Sequence, residues 1–294
     1  MSRIEVLKTY KMYIGGKFPR TESGRYYSLK NTKGEEIANM CTGSRKDFRN
    51  AVVEARKAFE LWSNRTAYNR SQILYRIAEM LEGRKAQFID ELMQIGSTKK
   101  QAENEVFTSI DRLIYYAGWA DKYQQISSSV NPVSGPYFNF TIQEPTGVVA
   151  VIAPEENGLI GLVSTIAPII VSGNSCIVLA SESKALCSVS FAEVVNSSDV
   201  PGGVINILTG NAEELIPHFS THKDVNSMLY CGNDKKATQL IKENSTTNLK
   251  RIVVKKDIDW MKNENESPYF ITKFTEVKTT WHPIEKIGAS GSGY

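Results

Sequence analysis

The chain has little cysteine and little histidine. Its four cysteines, Cys41, Cys176, Cys187 and Cys231, form no C-x-x-C pair, and their spacing suits neither a zinc site nor a disulfide framework. The three histidines are scattered. His218 and His222 lie one helical turn apart, but no third ligand follows to complete a tetrahedral site. There is no long run of one charge sign either: 35 basic residues stand against 32 acidic ones, a net charge of +3. Nothing in that balance points to nucleic acid or to an anionic membrane. The opening MSRIEVLKTYKMY has no apolar core of a signal peptide. A cytoplasmic, reducing location is therefore the expectation, and sequons such as that at Asn139 read as chance. Residues 157–181 carry no charge, but Pro168, Gly173, Asn174 and several Ser and Thr interrupt them. They read as a buried helix, a turn and a buried strand, not as a membrane span.

What is present is ordinary globular material. A length of 294 residues, 41% hydrophobic and 23% charged, supports a large core in one or two domains. Ser44 followed by Asp47 marks a helix start. Phe48, Val52, Ala55, Phe59 and Trp62 then recur at helical spacing. Ile73, Leu74, Ile77, Ala78 and Leu81 make a second stripe, and Val106, Ile110, Leu113, Ile114 and Ala117 a third. All three are read as core faces.

Residues 137–143 alternate in part, as a half-buried strand does. Short apolar runs follow at 148–153, 176–179, 204–208, 227–230 and 251–254, each but the last followed by a helix-length segment. That repetition predicts an α/β fold with a mainly parallel, doubly covered sheet. Such sheets bind ligands at the carboxyl ends of their strands. Residues 255–268 are polar and end at a proline, so they read as a loop or linker. A strand-like segment spans 270–284, and a small-residue tail closes the sequence.

Many local motifs in order carry a family resemblance. YIGGKF (13–18), the set Ala55, Phe59, Trp62 and Arg70, and IDRLIYYAGWADK (110–122) are three of them. EPTGVVAVIAP (144–154), PIIVSGNS (168–175), PGGVINILTG (201–210) and FTEVKTTW (274–281) are four more. Together they are similar to the cofactor-binding half and the terminal assembly strand of aldehyde dehydrogenases. The resemblance implies a Rossmann-like, doubly wound sheet with an N-terminal helical region and a small β oligomerisation element. It divides the chain into an NAD-binding domain (1–135 and 144–254), oligomerisation strands (136–143 and 269–284), a linker replacing the catalytic domain (255–268) and a flexible tail (285–294).

At the functional positions the chain departs from the family pattern. The family's oxyanion asparagine falls at Glu156, with Asn157 one position late; an oxyanion needs a hydrogen-bond donor, which a carboxylate is not. The family's K-P-S-E reads Leu179, Ala180, Ser181, Glu182, losing the lysine donor and keeping the glutamate. The glycine-rich phosphate turn retains Gly232 and places Asp234 where it opposes a phosphate, with Lys235 and Lys236 as a partial offset. The general-base glutamate falls at Lys255, and the nucleophile motif G-Q-x-C occurs nowhere. Cys231 is the one cysteine near the cofactor region, and it reads as a structural thiol.

Vestigial cofactor contacts would be Ser181, Glu182, Gly210 and Gly232. Glu156, Asn157 and Lys255 are read as degenerate catalytic positions. The expectation is a pseudoenzyme without a required cofactor, NAD binding being weak at most. It would act as a structural or regulatory subunit, pairing with itself or with a full-length relative through 137–143 and 274–283. A nucleotide-binding sensor is the alternative reading, and residual oxidoreductase activity a third.

Overall fold

A computed structural model describes residues 6–284. The chain opens with β1 (Thr9–Tyr10), β2 (Tyr26–Lys30) and β3 (Glu36–Cys41), a small sheet in the order β1-β3-β2 that the sequence reading did not anticipate. The YIGGKF motif, similar to the family's opening strand, forms no full strand here. It is a tight turn closed by Ile14 and Lys17, with Tyr13 bridging to Ile207.

Five helices follow: α1 (Arg45–Ser63), α2 (Ala67–Gly83), α3 (Lys85–Gln94), α4 (Lys99–Trp119) and α5 (Tyr123–Ser127). Ser44 and Asp47 form a reciprocal capping box at the start of α1. Next come β4 (Ser129–Asn131) and β5 (Tyr137–Pro145). The parallel sheet then alternates with helices: β6 (Val148–Ile152), α6 (Ile160–Val171), β7 (Ser175–Leu179), α7 (Leu186–Asn196), β8 (Ile205–Leu208), α8 (Ala212–Thr221), β9 (Ser227–Tyr230), α9 (Lys235–Ser245) and β10 (Arg251–Val254).

All neighbours in that sheet are parallel, in the order β10-β9-β6-β7-β8. The chain moves outward from β6 through β7 to β8, then returns to lay β9 on the other side of β6. The order therefore reverses at β6, and a crevice opens at the carboxyl ends of β6 and β9. Side chains alternate across the pleat. Val148, Ala150 and Ile152 pack with Phe48, Val52 and Phe219 on one face. Val149 and Val151 pack with Leu113, Ile166 and Phe191 on the other.

The motif residues of α1 and α2 serve the far end of α6. Trp62 Nε1 donates to the Ile170 carbonyl at 2.9 Å, and Arg70 Nε donates to that of Val171 at 2.9 Å. The last carbonyls of a helix have no partner inside the helix, and a cation there also favours the dipole.

Residues 255–268 are not a free linker. Trp260 is 2% exposed within the main core. Arg112, fully buried on α4, reaches across to hold the segment. Its guanidinium pairs with Glu266 at 2.9 Å and donates to Ser164 Oγ at 2.8 Å and to the carbonyls of Trp260 and Lys262. The composition suggested a solvated loop, but one tryptophan and one distant arginine outweigh it. The strand expected from residue 270 begins later. Ser267 caps and Pro268 opens a short helix, α10 (Pro268–Thr272), because proline suits a first helical turn. β11 (Thr275–Pro283) follows.

β11 pairs antiparallel with β5 along its whole length, Thr275 opposite Pro145 and Pro283 opposite Tyr137. β4 takes the other side of β5. Within 137–143, residues 139–141 are thus flanked by strands on both sides and the rest by β11 alone; among the described residues the long open edge belongs to β11. The tail 285–294 lies outside the described residues. Among the described residues no helix is long and apolar enough to cross a membrane.

Removing one partner of a buried, hydrogen-bonded charge typically costs about 3–5 kcal/mol. Arg112→Ala should lower the unfolding free energy in urea by that amount and expose 255–268 to limited proteolysis. Unchanged cleavage of this segment would refute the clamp.

Lys250 supplies a pH signature. Its ammonium is buried and donates to the carbonyls of His222 and Val225 at 2.8 and 2.7 Å. Burial lowers its pKa to about 8. The unfolded lysine keeps its proton to about pH 10.4, so the unfolded state binds more protons between these values and this group's contribution to stability rises with pH. Buried thiols act in the opposite direction in any variant, so the readout is a difference. The stability of the wild type relative to Lys250→Met should increase by about 2 kcal/mol from pH 8 to 10, measured by urea titration.

Candidate functional site

Two cavities share Cys231 and Gly232 at the reversal of strand order. The larger, about 720 Å³, lies between α8 and α9 over the ends of β6 and β9. The smaller, about 190 Å³, is bounded by Pro154, Glu156, Asn233, Lys255, Asp257 and Trp260.

The structure brings Glu156, Lys255 and Cys231 to the small cavity. Lys255 follows β10; its backbone donates to the Tyr230 carbonyl and its ammonium lies 4.8 Å from the Phe270 ring centre, a cation–π distance. Asp257 adopts a left-handed φ of 52°, and its Oδ1 accepts from Asn233 Nδ2 at 2.8 Å across the mouth. Cys231 is buried, and burial pushes its thiol well up; Lys255 offsets this in part and Glu156 adds to it. A thiol so placed is a poor nucleophile, since the thiolate is the reactive form.

Asn157 is half-buried and lines not the small cavity but a neighbouring one of about 560 Å³, together with Glu105, Lys184 and Glu156, which borders both. Glu105 was missed by sequence reading. Its Oε1 accepts from the backbone N–H of Leu159 and Ile160 at 2.8 and 3.2 Å, capping α6. The available signal was a carboxylate on the buried stripe of α4, beside Ala102, Val106 and Ser109.

Of the four cofactor candidates, two line the larger cavity: Glu182 and Gly232. The Glu182 carboxyl accepts from Asn211 Nδ2 at 3.2 Å. Burial raises its pKa first, and the negative Glu155 and Glu213 raise it further. Gly232 leaves room for Tyr230, whose Oη would lie 2.6 Å from any added Cβ. Ser181 is buried and serves its own turn, accepting from Lys184 N at 3.0 Å and donating to the Glu155 carbonyl. Gly210, at φ +142°, is required by packing: a Cβ there would meet Gly43 N at 2.9 Å.

Sequence reading also missed Glu155. Its carboxylate accepts from the N–H groups of Glu182 and Ser183 at 3.0 and 2.7 Å, which closes the turn after β7. Asp234 does the same for α9, accepting from Lys236 N at 2.8 Å. These turns are where backbone donors could face a phosphate. Here carboxylates take those donors.

A doubly wound parallel sheet with a crevice at its strand-order reversal defines the class as a nucleotide-binding α/β fold. The model of the aldehyde dehydrogenase family matches residues 18–256. The chain belongs to the aldehyde dehydrogenase family. It is 29% identical over 259 residues to mouse cytosolic 10-formyltetrahydrofolate dehydrogenase, covering 86% of this chain and 29% of that protein. It is also 29% identical to the putative aldehyde dehydrogenase DhaS of Bacillus subtilis, covering 84% of this chain and 50% of that one. Among solved structures, PnpE from Pseudomonas sp. WBC-3 matches with a TM-score of 0.79 at 26% identity, covering 84% of this chain and 50% of that one. The NAD+ complex of a Bacillus cereus aldehyde dehydrogenase matches in fold, with a TM-score of 0.80 at 24% identity, covering 84% of this chain and 51% of that one. The chain spans about half the length of DhaS and of these solved structures, and less of the folate enzyme.

Iodoacetamide should leave Cys231 unmodified in the native protein at neutral pH and label it fully after denaturation. Rapid native labelling, read by peptide mass spectrometry, would overturn the assignment of a structural thiol.

Proposed function

We propose that this chain is a non-catalytic aldehyde-dehydrogenase-like protein acting as a structural or regulatory subunit. The observation that carries the reading is the small cavity. Lys255 stands there against Phe270 in the place of a base, and the nearest thiol is buried and held protonated. A lysine in the place of a carboxylate base reverses the charge of that position, and the side chain is engaged against an aromatic ring. The path from β10 to β11 is a short strap locked by Arg112, so no further layer is inserted there.

What the fold offers instead is an edge. β11 is exposed from Glu276 onward, with Val277 and Trp281 60% and 59% exposed. An unpaired strand edge is a template for another chain. The partner in this reading is a second copy or a full-length relative. The second reading, a weak NAD(H) sensor, is favoured by the size of the larger cavity and opposed by its charge.

With NAD+ or NADP+ and mixed aldehydes, no turnover above the protein-free rate is expected. Light scattering should give a mass above one chain, alone or with an added relative, and Val277→Lys with Trp281→Lys should return it to a monomer. Measurable turnover would sink the non-catalytic reading; a monomer under every condition would sink the subunit reading.

A further inference from the structure

The larger cavity does not fit the group its fold implies. Its walls are apolar, formed by Ile152, Ala153, Ile216, Tyr230, Ala237 and Leu240. Its rim carries four carboxylates, Glu155, Glu182, Glu213 and Asp234, and one cation, Lys236. Among the described residues none of those carboxylates sits in an ion pair. A dinucleotide would bring a doubly charged pyrophosphate to this rim. The turn donors that could receive it are already held by Glu155 and Asp234.

We propose that this cavity binds an organic monocation with an aromatic or branched apolar body and excludes dinucleotides. A volume of about 720 Å³ suits a body of one or two rings. The apolar floor would take the ring system. The ammonium would lie between Glu182 and Glu213, which approach the same space from the β7–α7 turn and from the first turn of α8. There it offsets the burial that first disfavours ionised Glu182 and the nearby negative Glu155 and Glu213 that add to it. Glu155 and Asp234 are tied to backbone donors and set the sign of the field. Lys236 faces solvent on α9 and only partly offsets it. The inference is independent of the non-catalytic reading, which turnover alone decides.

The test is calorimetric titration of the whole chain with tryptamine, indole-3-acetate and NAD+. The first two share a ring and differ in the sign of their charge. Tryptamine should bind at least about tenfold more tightly than indole-3-acetate at low salt, with the gap narrowing as salt rises. Glu182→Gln combined with Glu213→Gln should abolish that preference. Leu240→Arg should block tryptamine from a second direction; thermal melts of the variants check that each folds. Equal or tighter binding of indole-3-acetate or NAD+ would overturn the proposal. So would tryptamine binding that ignores these substitutions, or no heat from any ligand.

Discussion

The Arg112 guanidinium organises the second half of this molecule. A fully buried cation is costly unless its donors are satisfied. Here one carboxylate, one hydroxyl and two carbonyls receive them. Three of those acceptors belong to the segment 260–266, so burying the arginine requires the strap. The strap in turn delivers Trp260 and Phe270 to the core and α10 to its place. β11 then starts in register with β5, where Asn174 Nδ2 donates to the Phe274 carbonyl at 2.8 Å and its Oδ1 accepts from Gly147 N at 2.8 Å. One charge on α4 thus sets how the chain passes from the parallel sheet to the antiparallel one.

The crevice follows a different logic. Parallel strands leave backbone donors at their carboxyl ends, and those donors must find acceptors. A bound anion can supply them. In this chain Glu155, Asp234 and Glu105 supply them internally. A carboxylate at such a turn both stabilises the apo fold and opposes a phosphate, so one substitution changes stability and ligand preference together.

The sheet and its covering helices were legible because burial imposes periodicity: every predicted strand of the parallel sheet and every helical stripe is found, except that Ile114, read as part of the third stripe, is 42% exposed because it lies off the buried face of α4 that carries Ile110, Leu113 and Ala117. The first sheet was not, since β1 has only two residues and β2 alternates weakly. The strap was misread because local composition does not reveal a partner 154 residues away. The site was legible in part. Glu182, Gly232, Glu156 and Lys255 do line the crevice. Gly210 and Ser181 instead serve packing and a turn, a distinction no motif makes. Glu155 escaped notice because its role depends on two backbone groups beyond β7.

The family motifs separate into two sets once their hydrogen bonds are traced. Trp62, Arg70, Asn174 and Gly210 keep their types, and each satisfies or accommodates backbone inside the fold. Changing any of them strands a buried carbonyl or N–H or forces a clash, at a typical cost of about 1–3 kcal/mol against a total stability of only 5–15. Glu155 and Asp234 carry such contacts into the crevice, whereas among the described residues the side chains of Glu156 and Lys255 hold no backbone group, so a change of type at these two positions costs the core little. A chain that keeps the first set and changes the second retains a stable scaffold whatever happens to its chemistry. The scaffold's persistence is therefore no argument for catalysis, and the charge of the crevice is the better guide to what it holds.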